Sequence, residues 1–202
     1  MNNKELKDDN MTLSVLSAVD ENSKVTQRSI SNELGIALGL TNSYFKKCID
    51  KGLVKILQIP ANRYAYYLTP RGFAEKTRLT AEYFKTSFSF YRRAKNDLSN
   101  IINECYEDKK FNIVLSDQSE LSEIATIISL TSKINLVGII GHNSTNNSVP
   151  TIENIKEFTG YDIVLITDTK DYQSRYDALC KVIPRDKIII PDVLKFKMKE
   201  KS

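Results

Sequence analysis

The stretch Leu38-Gly-Leu-Thr-Asn-Ser-Tyr-Phe-Lys-Lys-Cys-Ile-Asp50 sets two kinds of side chain at helical spacing. On a helical wheel, Leu38, Thr41, Phe45, Cys48 and Ile49 share one side, while Gly39, Leu40, Ser43, Lys46, Lys47 and Asp50 share the other, with Asn42 and Tyr44 at the flanks. The second set is small, polar and basic. It offers hydrogen-bond donors and positive charge without bulk, the chemistry needed to recognise an anionic, acceptor-rich surface such as a nucleic-acid groove. Leu40 departs from that pattern: it is an apolar residue on the donor side, suited to a thymine methyl or to a different reading set. Arg63, which follows Pro60 and Asn62, sits where a turn would carry it towards a phosphate or a minor groove. Nothing comparable suggests bond-breaking chemistry. The sequence holds no Gly-rich phosphate cradle, no metal-ligand cluster and no nucleophile spaced from a base, so no catalytic residue, metal site or cofactor is expected.

These residues need elements to place them. Leu13, Leu16 and Val19 mark a first helix from about residue 12 to residue 20. Thr26 caps a second, which keeps Ile30 and Leu34 inward and stops at Gly35. A third helix runs from Ala37 to Lys51 and closes at Gly52. Leu53–Leu57 and Arg63–Leu68 read as two strands joined by a turn, the second alternating Tyr64, Tyr66 and Leu68. Thr69 and Pro70 then cap a helix that reaches about Asp108, continuous or broken near Ser87–Ser89. Together these make a helix-turn-helix followed by a small hairpin wing.

The words of this region also resemble a known family. Gln27-Arg28, Glu33-Leu-Gly-Ile36, Leu38-Gly39, Asn42, Ile49-Asp-Lys-Gly-Leu-Val-Lys55, Tyr67-Leu-Thr-Pro-Arg-Gly72 and Ala74-Glu-Lys-Thr-Arg-Leu-Thr80 resemble the winged helix-turn-helix of MarR-type bacterial regulators, in particular the subgroup associated with exopolysaccharide gene clusters. The resemblance covers about a third of the chain. It implies a sequence-specific transcription regulator that binds double-stranded DNA through Arg28, Gly39, Leu40, Asn42, Ser43, Lys46, Lys47 and Arg63. A two-fold dimer would set two third helices about one DNA turn apart. Tyr83, Phe84, Phe88 and Tyr91 on the long helix carry more aromatic surface than the small domain can cover, and are the expected dimerisation residues.

Composition is consistent with that reading. The 202 residues are 41% hydrophobic and 27% charged, an ordinary globular balance with room for two small domains. Net charge is +4, and residues 1–80 hold 12 Lys/Arg against 8 Asp/Glu, whereas residues 111–202 hold 11 against 12. The basic excess therefore lies with the presumed polyanion-binding half. Apolar runs are too short to span a bilayer, and the polar start Met1–Asn10 lacks the apolar block of a signal peptide. A cytoplasmic chain without membrane contact is expected. Cys48, Cys105 and Cys180 lie too far apart for a paired motif.

From Phe111 the period changes. Phe111–Leu115, Ile134–Ile140, Tyr161–Ile166 and Lys187–Ile190 are short β-branched runs, and Glu120–Lys133, Thr151–Phe158 and Lys170–Val182 between them read as helices. Alternation of this kind implies an α/β fold with a parallel sheet. This half resembles, more weakly, the Rossmann-like domains of nucleotide-sugar and polysaccharide-biosynthesis proteins. Redox-sensing repressors join such a domain to a winged helix, so the architecture suggests a sensor or assembly module. A dinucleotide site needs glycines after the first strand, where this chain has Ser116-Asp-Gln-Ser-Glu-Leu-Ser-Glu123. Asp117, Glu120 and Glu123 would repel a pyrophosphate there. A crevice at the strand ends would instead be lined by Ser116, Asp117, Ser119, His142, Thr167 and Asp168, and would suit a neutral or cationic ligand or a protein effector. The expected divisions are a disordered tail over 1–11, the winged helix over 12–78, a linker and dimerisation helix over 79–109, the Rossmann-like α/β domain over 110–194 and a tail over 195–202. Two other readings stay open: a protein-interaction module that docks through the winged helix, and a nucleotide-responsive sensor.

Overall fold

A computed structural model describes residues 3–59, 63–141, 149–153, 155–156 and 158–199, with side chains for all of these except residues 3, 4, 59, 63 and 196–199. The chain divides into two compact units, residues 1–87 and 88–202. The fold is mixed α/β: helix-turn-helix and hairpin first, then a long helix, then a five-stranded parallel sheet.

In the first unit, α1 (Asn3–Glu21), α2 (Gln27–Leu34) and α3 (Leu38–Asp50) precede β1 (Val54–Ile59) and β2 (Arg63–Leu68). Local chemistry sets each boundary. Thr26 and Ser29 cap α2 reciprocally, each side chain accepting from the other's backbone N–H at 3.0 Å. Gly35 ends α2 in the left-handed region, with φ 61°, so the chain turns into α3 at little steric cost. Val15, Leu16 and Val19 from α1, Ile30 from α2, Phe45 and Cys48 from α3 and Val54 from β1 form one buried core. Tyr66 of β2 meets Phe45 edge-on at 4.6 Å, which seats the hairpin on α3.

The long helix α4 (Pro70–Glu107) is continuous through Ser87–Ser89. Its start is pinned. Thr69 Oγ1 accepts from the Gly72 N–H at 3.0 Å and donates to the Gly52 carbonyl at 2.7 Å. Gly72 lies against the Leu53 carbonyl, where a β-carbon would overlap it. This is the physical content of the Thr-Pro-x-Gly pattern. The expected boundaries near residues 79 and 110 are replaced by one inside α4, because Leu79 packs into the first core while Ala94, Leu98, Ile101, Ile102 and Cys105 pack into the second.

The second unit holds β3 (Asn112–Leu115), α5 (Glu120–Ser129), β4 (Asn135–Ile140), β5 (Thr151–Ile152), β6 (Ile163–Leu165), α6 (Tyr172–Leu179), β7 (Ile188–Ile189) and α7 (Asp192–Lys199). All strand pairings are parallel, in the order β5-β4-β3-β6-β7. Ile113, Val114 and Leu115 of the central strand are buried, as a strand covered on both faces requires.

Three expectations are corrected. Residues 3–11 are not a disordered tail but the first turns of α1. Leu6 stands two helical turns before Leu13 and extends its stripe, Glu5 sits in the first turn, and Asp8 is tied to α3. The stretch Thr151–Phe158 is not helical in its described residues. Its first two residues form the edge strand β5, beside Pro150, whose carbonyl accepts from Ile139 N–H at 2.9 Å. The β-branched pair fits the sheet edge, where Gly138 leaves room for Ile152. The presumed tail from Lys195 is also ordered as far as Lys199, because Asp97 Oδ2 accepts from Val193 N–H at 2.8 Å and Leu194 is buried.

Candidate nucleic-acid interface

The side of α3 that does not enter the core is open. Thr41, Phe45 and Cys48 are buried, whereas Gly39, Leu40, Asn42, Ser43 and Lys46 are exposed. Cys48 is a core residue, and its burial raises the thiol to about 11. Arg28, in the first turn of α2, is exposed as well. Ala37 caps α3 without a side-chain hydrogen bond, and its carbonyl accepts from Leu40 N–H at 3.0 Å and Thr41 N–H at 3.1 Å. Leu38, expected inward, is instead 43% exposed. It occupies the first helical position of α3.

Lys47 differs from the other expected contacts. Its ammonium is paired with the Asp8 carboxylate of α1 and lies 5.5 Å from the centre of the Tyr44 ring. The hydrogen bond from Lys47 holds the Asp8 carboxyl below the usual carboxylate range, against an opposing effect of burial, and the same bond pushes the lysine up. Partial burial, and then the hydrogen bond to Asp8, raise the Tyr44 phenol. Sequence reasoning missed Asp8 because it lies in the stretch taken for a tail.

The hairpin is less basic than a phosphate-gripping wing would be. Ile56, Leu57, Tyr64 and Tyr67 are exposed beside Lys55. The side chain of Arg63 lies outside the described residues. On α4, Tyr83, Phe84, Phe88 and Tyr91 are all exposed, and Tyr83 borders an open groove of about 380 Å³ with Leu13 and Glu21 of α1 and Glu33 of α2.

Residues 8–55 match a protein-family model described as winged helix-turn-helix DNA-binding. No curated protein matches the chain. The matched stretch runs from Asp8 through α2 and α3 into β1, so it contains the donor face together with the carboxylate that restrains Lys47. Over residues 8–55 the first unit is thus similar to a winged helix-turn-helix DNA-binding domain, and α3 is the second helix of its helix-turn-helix.

The expected crevice of the second unit is built differently. Ser116 and Thr167 are fully buried and do not line a surface. Ser116 Oγ accepts from Thr167 N–H at 2.9 Å, and Thr167 Oγ1 donates to the Asp117 carbonyl at 2.6 Å and accepts from its N–H at 3.0 Å. Ser119 Oγ donates to the Thr167 carbonyl at 2.5 Å while capping α5. The loops after β3 and β6 are stitched together through backbone groups that a ligand would otherwise use. Asp117 is 3.5 Å from Arg175, a partner the sequence pattern did not reveal, and Asp168 accepts from the amides of Lys170 and Asp171. His142 lies outside the described residues. Among the described residues, no three His, Cys, Asp or Glu side chains gather to hold a metal, and no helix is long and apolar enough to cross a membrane.

Proposed function

We propose that the protein is a sequence-specific DNA-binding transcription regulator of MarR-like type that acts in the cytoplasm as a homodimer, with the second unit as a sensor or assembly module. The observation that carries this reading is the open donor face of α3 inside a matched DNA-binding domain. Asn42, Ser43 and Lys46 would read base edges while Arg28 and Arg63 meet the backbone. Dimerisation is supported by Phe84, Phe88 and Tyr91, which recur at helical spacing and remain exposed. The sheet order β5-β4-β3-β6-β7, all parallel, supports a Rossmann-like reading of the second unit. The stitched loops there favour a protein or assembly role over a nucleotide. Catalysis forms no part of this reading. Selection from randomised duplexes, followed by a salt titration of the enriched sequence, tests it. Affinity should fall steeply with salt as phosphate contacts release counterions.

The exposed Ile56, Leu57, Tyr64 and Tyr67 favour a second reading, in which the hairpin docks a protein. Failure to enrich any sequence, with partner binding indifferent to salt, would select that alternative.

A further inference from the structure

We propose that Leu40 reads the 5-methyl group of a thymine, and that Gly39 lets the helix lie close enough for it to do so. This inference rests on the DNA-binding reading and deepens it by naming a specificity-determining residue. Leu40 is 42% exposed on a helix whose inward face is already closed by Thr41, Phe45 and Cys48. It lies one turn before Ser43 and Tyr44 and two turns before Lys47, so it shares a flank with the donor set. That flank is short of free charge, because Asp8 holds Lys47 back over Tyr44. The thymine methyl is the one apolar group on the base edges of the major groove, and donors such as Ser43 or Lys46 cannot read it.

Gly39 points the same way. Glycine is the poorest helix former after proline, yet this one sits in the first turn of α3. Its backbone is not in the left-handed region, and a β-carbon there would meet nothing within 4 Å. Neither conformation nor packing among the described residues calls for glycine. A bare backbone at the start of the open face is useful to a surface that approaches from outside, and it leaves Leu40 exposed beside the contact.

The test uses the full chain and duplexes enriched by the wild-type protein, with each thymine replaced singly by deoxyuridine, which removes only the methyl. Wild type should lose about fourfold in affinity at one position and its symmetry mate, the effect of withdrawing one buried methyl. Leu40→Ala should bind the thymine and deoxyuridine duplexes alike at that position, with an unchanged melting temperature. Leu40→Gln should move the preference there towards adenine. Specific duplexes that tolerate every deoxyuridine overturn the assignment to Leu40 alone, as does a Leu40→Ala variant that keeps the full methyl effect. If no sequence is enriched and binding lacks salt dependence, the DNA-binding reading fails and this inference with it.

Discussion

Lys47 carries its charge on α3, but its side chain is directed to Asp8. The two side chains are 37% and 36% exposed, so solvent screening holds their contribution to stability below about 1 kcal/mol. The pair matters more for binding, since Lys47 must leave Asp8 before it can meet a phosphate. The Asp8 carboxyl is held below its ordinary range, so its stabilising contribution is complete above the unfolded carboxylate value and is lost as pH falls through the lowered folded value. The pair therefore stays intact at neutral pH. Asp8→Asn should free the lysine, strengthen DNA binding at low salt and steepen the log–log salt slope by about one, as read by fluorescence anisotropy at several salt concentrations. An unchanged slope would show that Lys47 meets no phosphate even when released. The lysine was legible from the helical wheel, and its partner was not. Asp8 lies 39 positions earlier, and no local rule connects the two.

The elements with their own punctuation were read closely. Thr26 and Gly35 bracket α2, and Thr69-Pro70 opens α4, because caps and turns are chosen by local chemistry that any sequence displays. Elements decided by packing were read less well. Thr151-Ile152 became a strand through its edge position beside β4, and α7 forms because Asp97 reaches across to cap it. The Thr167 hydroxyl belongs to this second kind. Thr167→Val keeps the shape but leaves the Asp117 N–H and carbonyl without their partner, and should destabilise the second unit by about 1–3 kcal/mol in urea unfolding. On α4, Phe84 and Phe88 are more than half exposed, at 53% and 57%. The double variant Phe84→Asp/Phe88→Asp should sediment as a monomer with helical content intact, and should bind operator more weakly because two recognition helices no longer act together. Wild type sedimenting as a monomer at micromolar concentration would remove the dimer from the proposed function.

At the scale of the molecule, the chain joins a DNA-binding unit to a parallel-sheet unit with separate cores, and α4 contributes to both. That division follows from the change of hydrophobic period near residue 111, although the boundary itself could not be placed where a helix belongs to two cores. Whether the second unit can take a pyrophosphate depends on the loop after β3. A pyrophosphate would need the amides at the start of α5, but Ser119 Oγ already accepts from Leu121 N–H at 3.2 Å and Ser122 N–H at 3.4 Å. Glu120 and Glu123 stand in the same turn, and no glycine lets a ligand come closer. Arg175 offsets Asp117 at 3.5 Å, so repulsion is weaker than the sequence alone implied, and the occupied amides become the stronger obstacle. Calorimetry of the full chain with oxidised and reduced nicotinamide dinucleotides at about 1 mM should therefore give no saturable heat, since displacing the cap would leave buried hydroxyls and amides unpaired. A saturable signal strengthened by Ser119→Ala, which frees those amides, would show that the cap yields to a phosphate, and the second unit would then be a nucleotide sensor.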